Sequence, residues 1–243
     1  MNSIPVADSL SDPKERLIVA LDYGSAAQAL ELVDRLDGSC KWFKVGMELF
    51  YAAGAGLIET LRQRDFNVFL DLKLHDIPNT VAGAVRSVTQ AGASLLTIHA
   101  SGGEAMMTAA AEAANAPGAP QLLAVTVLTS MDAGELAGVG VMDTPAAQVL
   151  RLARLAKLSG INGMVCSADE VETLRDNLGP EVRLVIPGIR AAGDALGDQR
   201  RVATAEAAIQ RGASQLVVGR PITRAVDPAS AARSFLDEIA KAL

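Results

Sequence analysis

The stretch Asn67-Val68-Phe69-Leu70-Asp71-Leu72-Lys73 has the pattern of a β-strand that begins apolar and ends in charge. Side chains alternate between the two faces of a strand, so Phe69, Asp71 and Lys73 share one face. The aliphatic residues between them share the other, and we expect that face to pack against helices. Because Asp71 and Lys73 share the inner face of a strand that is otherwise apolar, we expect their charges to lie close together. A buried ion pair contributes little stability, which favours a functional site over a structural pair.

Seven further apolar runs resemble this strand and alternate with amphipathic segments. The eight predicted strands are 17–22, 42–46, 67–73, 94–99, 122–129, 163–167, 183–187 and 215–219. The predicted helices are 26–36, 56–64, 81–91, 104–114, 144–159, 168–177, 203–211 and 228–243. Strands that alternate with helices indicate a parallel sheet, and eight such units predict a closed (β/α)8 TIM barrel.

The main competing fold is an open, doubly wound sheet. A dinucleotide-binding sheet of that kind carries Gly-x-Gly-x-x-Gly after its first strand, and Asp22-Tyr23-Gly24-Ser25 stands there instead. No linker divides the chain, so we expect one α/β domain over residues 13–243. Residues 1–12 are expected to form a flexible leader.

Composition restricts the classes of partner. The 243 residues carry a net charge of −6 and only 3% aromatics, which disfavours a nucleic-acid binder. No secretory signal or apolar segment of membrane-spanning length is present, so the sequence predicts no membrane association and a cytoplasmic location. Cys40 and Cys166 match no metal or redox spacing and are interpreted as reduced thiols.

Catalytic groups of such barrels lie where the strands end. Here the predicted strands carry Asp22, Lys44, Asp71 and Lys73 toward those ends, and Thr129-Ser130 ends the fifth. Asp76 adds a second carboxylate near Lys73, and carboxylates beside a lysine favour its charged form. Lys73 is therefore predicted to donate a proton or to anchor charge, and not to act as a Schiff-base nucleophile. His75 and His99 are interpreted as structural or supporting residues, because no nucleophile or metal-ligand pattern accompanies them.

The last two strands predict an anion site. Their loops contain Pro187-Gly188-Ile189-Arg190 and Gly219-Arg220, and glycine lets backbone N–H groups approach a phosphate while arginine donates a bidentate pair. Residues 191–199 are interpreted as a flexible lid that closes over the phosphate, with Gln199 at its tip.

The run from Phe69 to Thr80, Phe-Leu-Asp-Leu-Lys-Leu-His-Asp-Ile-Pro-Asn-Thr, closely resembles the signature of the orotidine 5′-phosphate decarboxylase family, in its bacterial form. The resemblance covers nearly the whole chain. Its other parts are Ala20-Leu21-Asp22, Phe43-Lys44-Val45-Gly46, Val127-Leu128-Thr129-Ser130, Pro187-Gly188-Ile189-Arg190 and Val218-Gly219-Arg220-Pro221-Ile222.

This resemblance implies decarboxylation of orotidine 5′-monophosphate (OMP) to UMP without metal or organic cofactor. It implies that Lys73 protonates C6 while Asp71 lies against the departing carboxylate. Asp76 and Thr80 would come from the partner subunit of a homodimer. The remaining expected contacts are Lys44 and Asp22 at the ribose and charged network, Thr129 and Ser130 at the pyrimidine, Gln199, Gly219 and Arg220 at the phosphate with Arg190 nearby, and Ile77 and Pro187.

Two alternatives stay open on the sequence. Mg²⁺-dependent sugar-phosphate decarboxylases and aldolases of related barrels share Asp-x-Lys-x-x-Asp but use a carboxylate on the second strand, where Lys44 stands here. A non-catalytic phosphate-binding barrel would explain Gly219-Arg220. It would not explain why Asp71, Lys73 and Asp76 are present, because a phosphate binder does not need two carboxylates near its anionic ligand.

Overall fold

The computed structural model describes residues 10–190 and 203–243, and within them eight parallel strands close into a barrel in the order of the chain. The first and last strands pair to complete the closure. The strands are β1 (Leu17–Leu21), β2 (Trp42–Gly46), β3 (Asn67–Leu74), β4 (Leu95–His99), β5 (Gln121–Val125), β6 (Gly163–Val165), β7 (Arg183–Ile186) and β8 (Gln215–Val218). The predicted (β/α)8 TIM barrel is confirmed.

Helices surround the barrel. Those in the described residues are α1 (Pro13–Arg16), α2 (Ala26–Arg35), α3 (Met47–Ala53), α4 (Ala55–Gln63), α5 (Pro78–Ala91), α6 (Gly103–Ala113), α7 (Ala133–Gly138), α8 (Pro145–Leu158), α9 (Val171–Leu178), α10 (Ala205–Gln210), α11 (Arg220–Thr223) and α12 (Pro228–Lys241). Two long helices begin with the same local signal. Thr144 caps α8 and Asp227 caps α12 through a side-chain oxygen, and proline follows each cap.

Two hydrophobic layers hold the fold together. The inner layer fills the barrel with one or two side chains from most of the strands, among them Ile18, Trp42, Phe69, Leu95 and Val217. The outer layer lies between strands and helices and includes Val68 and Leu70. The predicted facing of β3, with Phe69 inward and its aliphatic neighbours toward the helices, is confirmed for these residues.

Several predicted strands extend past their observed ends, the fifth by the most. The apolar run 122–129 predicted a strand to Thr129, but β5 ends at Val125. The last residue of β6 pairs with Val125, and the last of β4 pairs with it from the other side. The regular ladder therefore ends at Val125; Thr126 still bonds to the Val165 carbonyl, and residues 127–129 line the cavity at the mouth of the barrel.

The expected leader lies mainly outside the described residues. Its described part, residues 10–12, packs onto the N-terminal end of the barrel: Leu10 is buried, and Asp12 accepts a 2.8 Å hydrogen bond from Lys41. No helix among the described ranges combines the length and apolarity needed to cross a bilayer.

Candidate active site

An alternating row of charges crosses the C-terminal mouth of the barrel. The Lys44 ammonium lies 3.0 Å from Oδ1 of Asp22 and 3.8 Å from Oδ2 of Asp71. The Lys73 ammonium lies 2.8 Å from Oδ1 of Asp71. The side chain of Asp22 is 63% exposed and that of Asp71 only 13%, so the row runs from solvent into the barrel.

One glycine leaves room for the row. A Cβ at Gly46, the last residue of β2, would lie 3.0 Å from Nζ of Lys44 and 3.6 Å from Oδ1 of Asp22. Any larger residue there would push against the ion pair, so the absent side chain makes room for it.

Strand β3 reaches the site through a bulge. Leu70 pairs with Leu96 and Leu74 with Ile98, so three residues of β3 lie opposite the single residue Thr97 of β4. Lys73 lies within this bulge with a φ of 51°, a left-handed conformation that costs an L-residue about 1–2 kcal/mol. On the sequence, the alternation of side chains along a regular strand predicted that Asp71 and Lys73 share one face. In the structure the bulge also sets the direction of Lys73.

A buried hydroxyl joins the two charged residues. Thr97 donates to Oδ1 of Asp71 at 3.0 Å and accepts the backbone N–H of Lys73 at 2.8 Å. Thr97 is completely buried. Sequence reasoning missed it, because a threonine in a β-strand carries no signal beyond its β propensity.

Asp71 is held as a carboxylate. Burial acts to raise its pKa, but the charges of Lys44 and Lys73 and the hydrogen bonds from Lys73 and Thr97 together bring the pKa below its usual value. Asp71 is therefore ionised throughout the neutral range, and an anion placed beside it would be repelled.

The charged row forms one wall of a cavity of about 730 Å³, a size that suits a small-molecule ligand. The predicted site residues that line it are Asp22, Lys44, Asp71, Lys73, Thr129, Pro187, Arg190, Gly219 and Arg220. The charged row and the glycine and arginine loops after β7 and β8 therefore line one cavity, and Gly219 lies beside Asp22, since a Cβ there would be 3.6 Å from Oδ2. The cavity can hold an anionic group at the arginines and act on another part of the same molecule at the charged row.

The chain on both sides of the predicted lid meets at this mouth. Ile189 and Ala203 form a parallel bridge, and the Arg190 N–H donates to the Ala203 carbonyl at 3.0 Å. Gln199 and the lid prediction for 191–199 lie outside the described residues.

Four predicted site residues do not line the cavity. Ser130 is exposed, as are Asp76, Ile77 and Thr80. The Asp76 carboxylate accepts the Ile77 N–H at 2.6 Å, and among the described residues no cation pairs with it. The expectation that Asp71 and Asp76 both flank Lys73 is therefore met only by Asp71 within a single chain. Asp76 and Ile77 instead border a shallow surface depression.

Other cavity residues went unnoticed on the sequence. Tyr23, Glu48, Thr223 and Arg224 line the same space. Arg224 could have been found from the sequence, since it follows Arg220, which was predicted to bind an anion, by about one helical turn. Glu48 could not have been found in this way, because it lies in α3 and the sequence predicted no helix there.

The two histidines contact each other beside the site. Their ring centroids are 5.5 Å apart, and burial, followed by the charges of His75 and Lys73, lowers the pKa of His99. Across residues 10–190 and 203–243, His, Cys, Asp and Glu form no group of three that would hold a metal ion.

These features define a (β/α)8-barrel enzyme whose charged row shares one cavity with the glycine and arginine loops after β7 and β8. The chain belongs to the orotidine 5′-phosphate decarboxylase / HUMPS family, whose model matches residues 15–235.

Individual relatives agree with the family. Orotidine 5′-phosphate decarboxylase of Vibrio campbellii is 51% identical over 228 residues, which span 93% of this chain and 98% of that protein. The Haemophilus influenzae protein of the same name is 52% identical over 222 residues, 90% and 96% of the two chains. The crystal structure of orotidine 5′-phosphate decarboxylase from Lactobacillus acidophilus superposes with a TM-score of 0.83 at 40% identity, covering 93% and 99%.

Proposed function

We propose that this protein removes CO2 from OMP to give UMP, a step of pyrimidine biosynthesis. One observation carries the proposal: the ion pair of Asp71 and Lys73, 2.8 Å apart, opens onto the same cavity as Gly219 and Arg220. A nucleotide monophosphate has an anionic phosphate at one end and a base at the other, and this cavity offers a matching group to each.

The chemistry assigned to the charged row consists of one bond cleavage and one proton transfer. The bond between C6 and the carboxylate carbon breaks, CO2 leaves, and the electron pair stays on C6. Lys73 donates a proton to C6 and afterwards regains one from solvent, so the reaction consumes one proton. The Lys73 ammonium stabilises the charge that develops at C6 before the proton moves.

Asp71 acts on the ground state in this proposal. Its carboxylate meets the substrate carboxylate as a like charge, worth roughly 4 kcal/mol at about 4 Å and an effective dielectric of about 20. That energy corresponds to about a thousandfold in rate. A difficult decarboxylation needs more, and we assign the rest to phosphate binding by Gly219, Arg220 and Gln199, with Arg190 nearby, which holds the substrate against the charged row. Lys44 and Asp22 hold the ribose, and Thr129 with Ser130 contacts the pyrimidine.

The proposal includes a homodimer in which Asp76 and Thr80 complete the partner's site. The exposure of Asp76 in the single chain supports it, as does Ile77, the next residue, a large apolar side chain that is 67% exposed. We place the enzyme in the cytoplasm, where Cys40 and Cys166 stay reduced.

The Mg²⁺-dependent sugar-phosphate alternative conflicts with Lys44. Its ammonium already lies among the carboxylates of Asp22 and Asp71, where it repels a divalent cation.

The deciding experiment follows the ultraviolet absorbance of OMP after addition of purified protein, with a chelator present. We expect steady conversion to UMP that Lys73→Ala abolishes and that the distant Lys241→Ala leaves unchanged. A folded protein without turnover would overturn the proposal, and sugar phosphates with Mg²⁺ would then be tested.

A further inference from the structure

We propose that Thr97 is a positioning residue for the decarboxylation, because its one hydroxyl fixes both the Asp71 carboxylate and the bulged backbone of Lys73. This inference rests on the proposed function and adds a residue that is fully buried and is not among those that line the cavity. Thr97 acts only through the two charged side chains.

The first step of the argument is the bulge. Where three residues of β3 face one residue of β4, the regular ladder cannot pair every backbone group. The N–H of Lys73 is one of the groups displaced, and the Thr97 hydroxyl accepts it at 2.8 Å. A buried N–H without an acceptor is costly, so this bond stabilises the left-handed conformation of Lys73.

The second step is the direction of the hydroxyl proton. Because the Thr97 oxygen accepts from Lys73, its own hydrogen is free to donate, and it does so to Oδ1 of Asp71 at 3.0 Å. The Lys73 ammonium donates to the same oxygen at 2.8 Å. Thr97 therefore closes a ring that runs from the Lys73 backbone through its own hydroxyl to Asp71 and back through the Lys73 ammonium.

The third step is what the ring does. The Lys44 ammonium lies 3.8 Å from the other carboxylate oxygen, Oδ2, beyond hydrogen-bond distance, so the hydrogen bonds to Asp71 are made at Oδ1. Without Thr97 the carboxylate keeps its charged partners but loses the neutral donor that sets its rotation. The Lys73 backbone N–H also loses its hydrogen bond to the Thr97 hydroxyl, so the base of the Lys73 side chain is held less firmly. Small displacements of reacting groups cost large factors in rate.

The test compares three variants. Thr97→Val removes the hydroxyl and keeps the branched shape, whereas Thr97→Ser keeps the hydroxyl and loses a methyl group. Thr126→Val is the matched control: Thr126 is also buried near this end of the barrel, but its hydroxyl donates only to the Val165 carbonyl, at 3.1 Å.

For Thr97→Val we expect kcat to fall about ten- to a hundredfold, the range for loss of a hydrogen bond to a charged group, while KM changes little. The acid limb of the pH–rate profile should move to higher pH, because Asp71 loses a donor. Thr97→Ser should restore most of kcat, and Thr126→Val should lower stability without changing kcat.

A substrate-free measurement separates this inference from the proposed function. Carbon-13 NMR of the aspartate carboxyl groups, with the Asp71 signal assigned from Asp71→Asn, should show Asp71 titrating at higher pH in Thr97→Val. If wild-type protein fails to convert OMP, the function falls but this titration still tests the positioning. Wild-type kcat and an unmoved Asp71 titration in Thr97→Val would overturn the inference, as would a loss in Thr97→Ser equal to that in Thr97→Val.

Discussion

The Lys44 ammonium lies 3.8 Å from Oδ2 of Asp71, across the pairing of β2 with β3. The register sets Lys44 opposite Phe69, two residues before Asp71, so the lysine extends toward the mouth of the barrel to reach the carboxylate. Both side chains are close to nine-tenths buried, which limits solvent screening of the pair.

Replacement of Lys44 by methionine should change how Asp71 titrates. An aspartate whose folded pKa is lowered stabilises the protein above its unfolded value, near 4, and loses that contribution as the pH falls through the folded value. Loss of Lys44 raises the folded pKa of Asp71. We expect turnover of OMP to fall at least about tenfold, with the acid limb of activity displaced to higher pH.

Lys41→Met serves as the control for that measurement. Lys41 pairs with Asp12 and Glu15 at the other end of β2, where its side chain is 43% exposed. Unchanged turnover and an unmoved acid limb in Lys44→Met would contradict the role given to Lys44.

A shared site makes a quantitative prediction. Lys73→Ala and Asp76→Asn should each be inactive alone, but a mixed dimer of the two contains one site with both native residues. After random reassortment half of the dimers are mixed, and about a quarter of wild-type activity should return.

The matched mixture is Lys73→Ala with Asp71→Asn. Asp71 and Lys73 contact each other within one chain, so no mixed dimer restores a native pair and activity should stay absent. Recovery in this control, or none with Asp76→Asn, would show that the subunits do not share the site in this way.

The sequence predicted the barrel and most of its cavity because both follow from regular features. Alternation of strands with helices specifies the (β/α)8 fold, and charges at strand ends then meet at one mouth. Asp22, Lys44, Asp71 and Lys73 could be assigned to the mouth for that reason.

The features that the sequence did not predict depend on contacts between distant residues. The bulge between Leu70 and Leu74 is visible only in the pairing with β4, and Thr97 gains its role only from that bulge. Helix α3 begins directly after β2, with Gly46 as its cap and no side-chain capping bond, so no start signal marked it.

His99 should make stability depend on pH. Burial and the neighbouring His75 and Lys73 lower its folded pKa, so the unfolded chain binds more protons as the pH falls below about 6.5. The stability that neutral His99 contributes is present above that pH and is lost as the pH falls through the folded pKa, at no more than about 1.4 kcal/mol per pH unit. Urea unfolding at pH 8 and pH 5.5 should show a smaller acid loss for His99→Gln than for the wild type. The difference at pH 8 measures the packing cost of the substitution, and equal acid losses would exclude His99 as the titrating group.

Arg220→Ala should lower kcat as well as raise KM. Arg220 and Lys73 line the same cavity after different strands, β8 and β3, and a purely local role of Arg220 in binding would change KM alone. If phosphate binding holds the pyrimidine against the charged row, its loss also removes stabilisation that is realised only in the transition state. We expect kcat/KM to fall about a hundredfold or more, since an arginine donates charge-assisted bonds to phosphate. Arg211→Ala, which breaks an exposed pair with Asp169, should leave both constants unchanged. Steady-state kinetics over a range of OMP concentrations separates the two constants, and a change confined to KM would show that phosphate binding and catalysis are not coupled through Arg220.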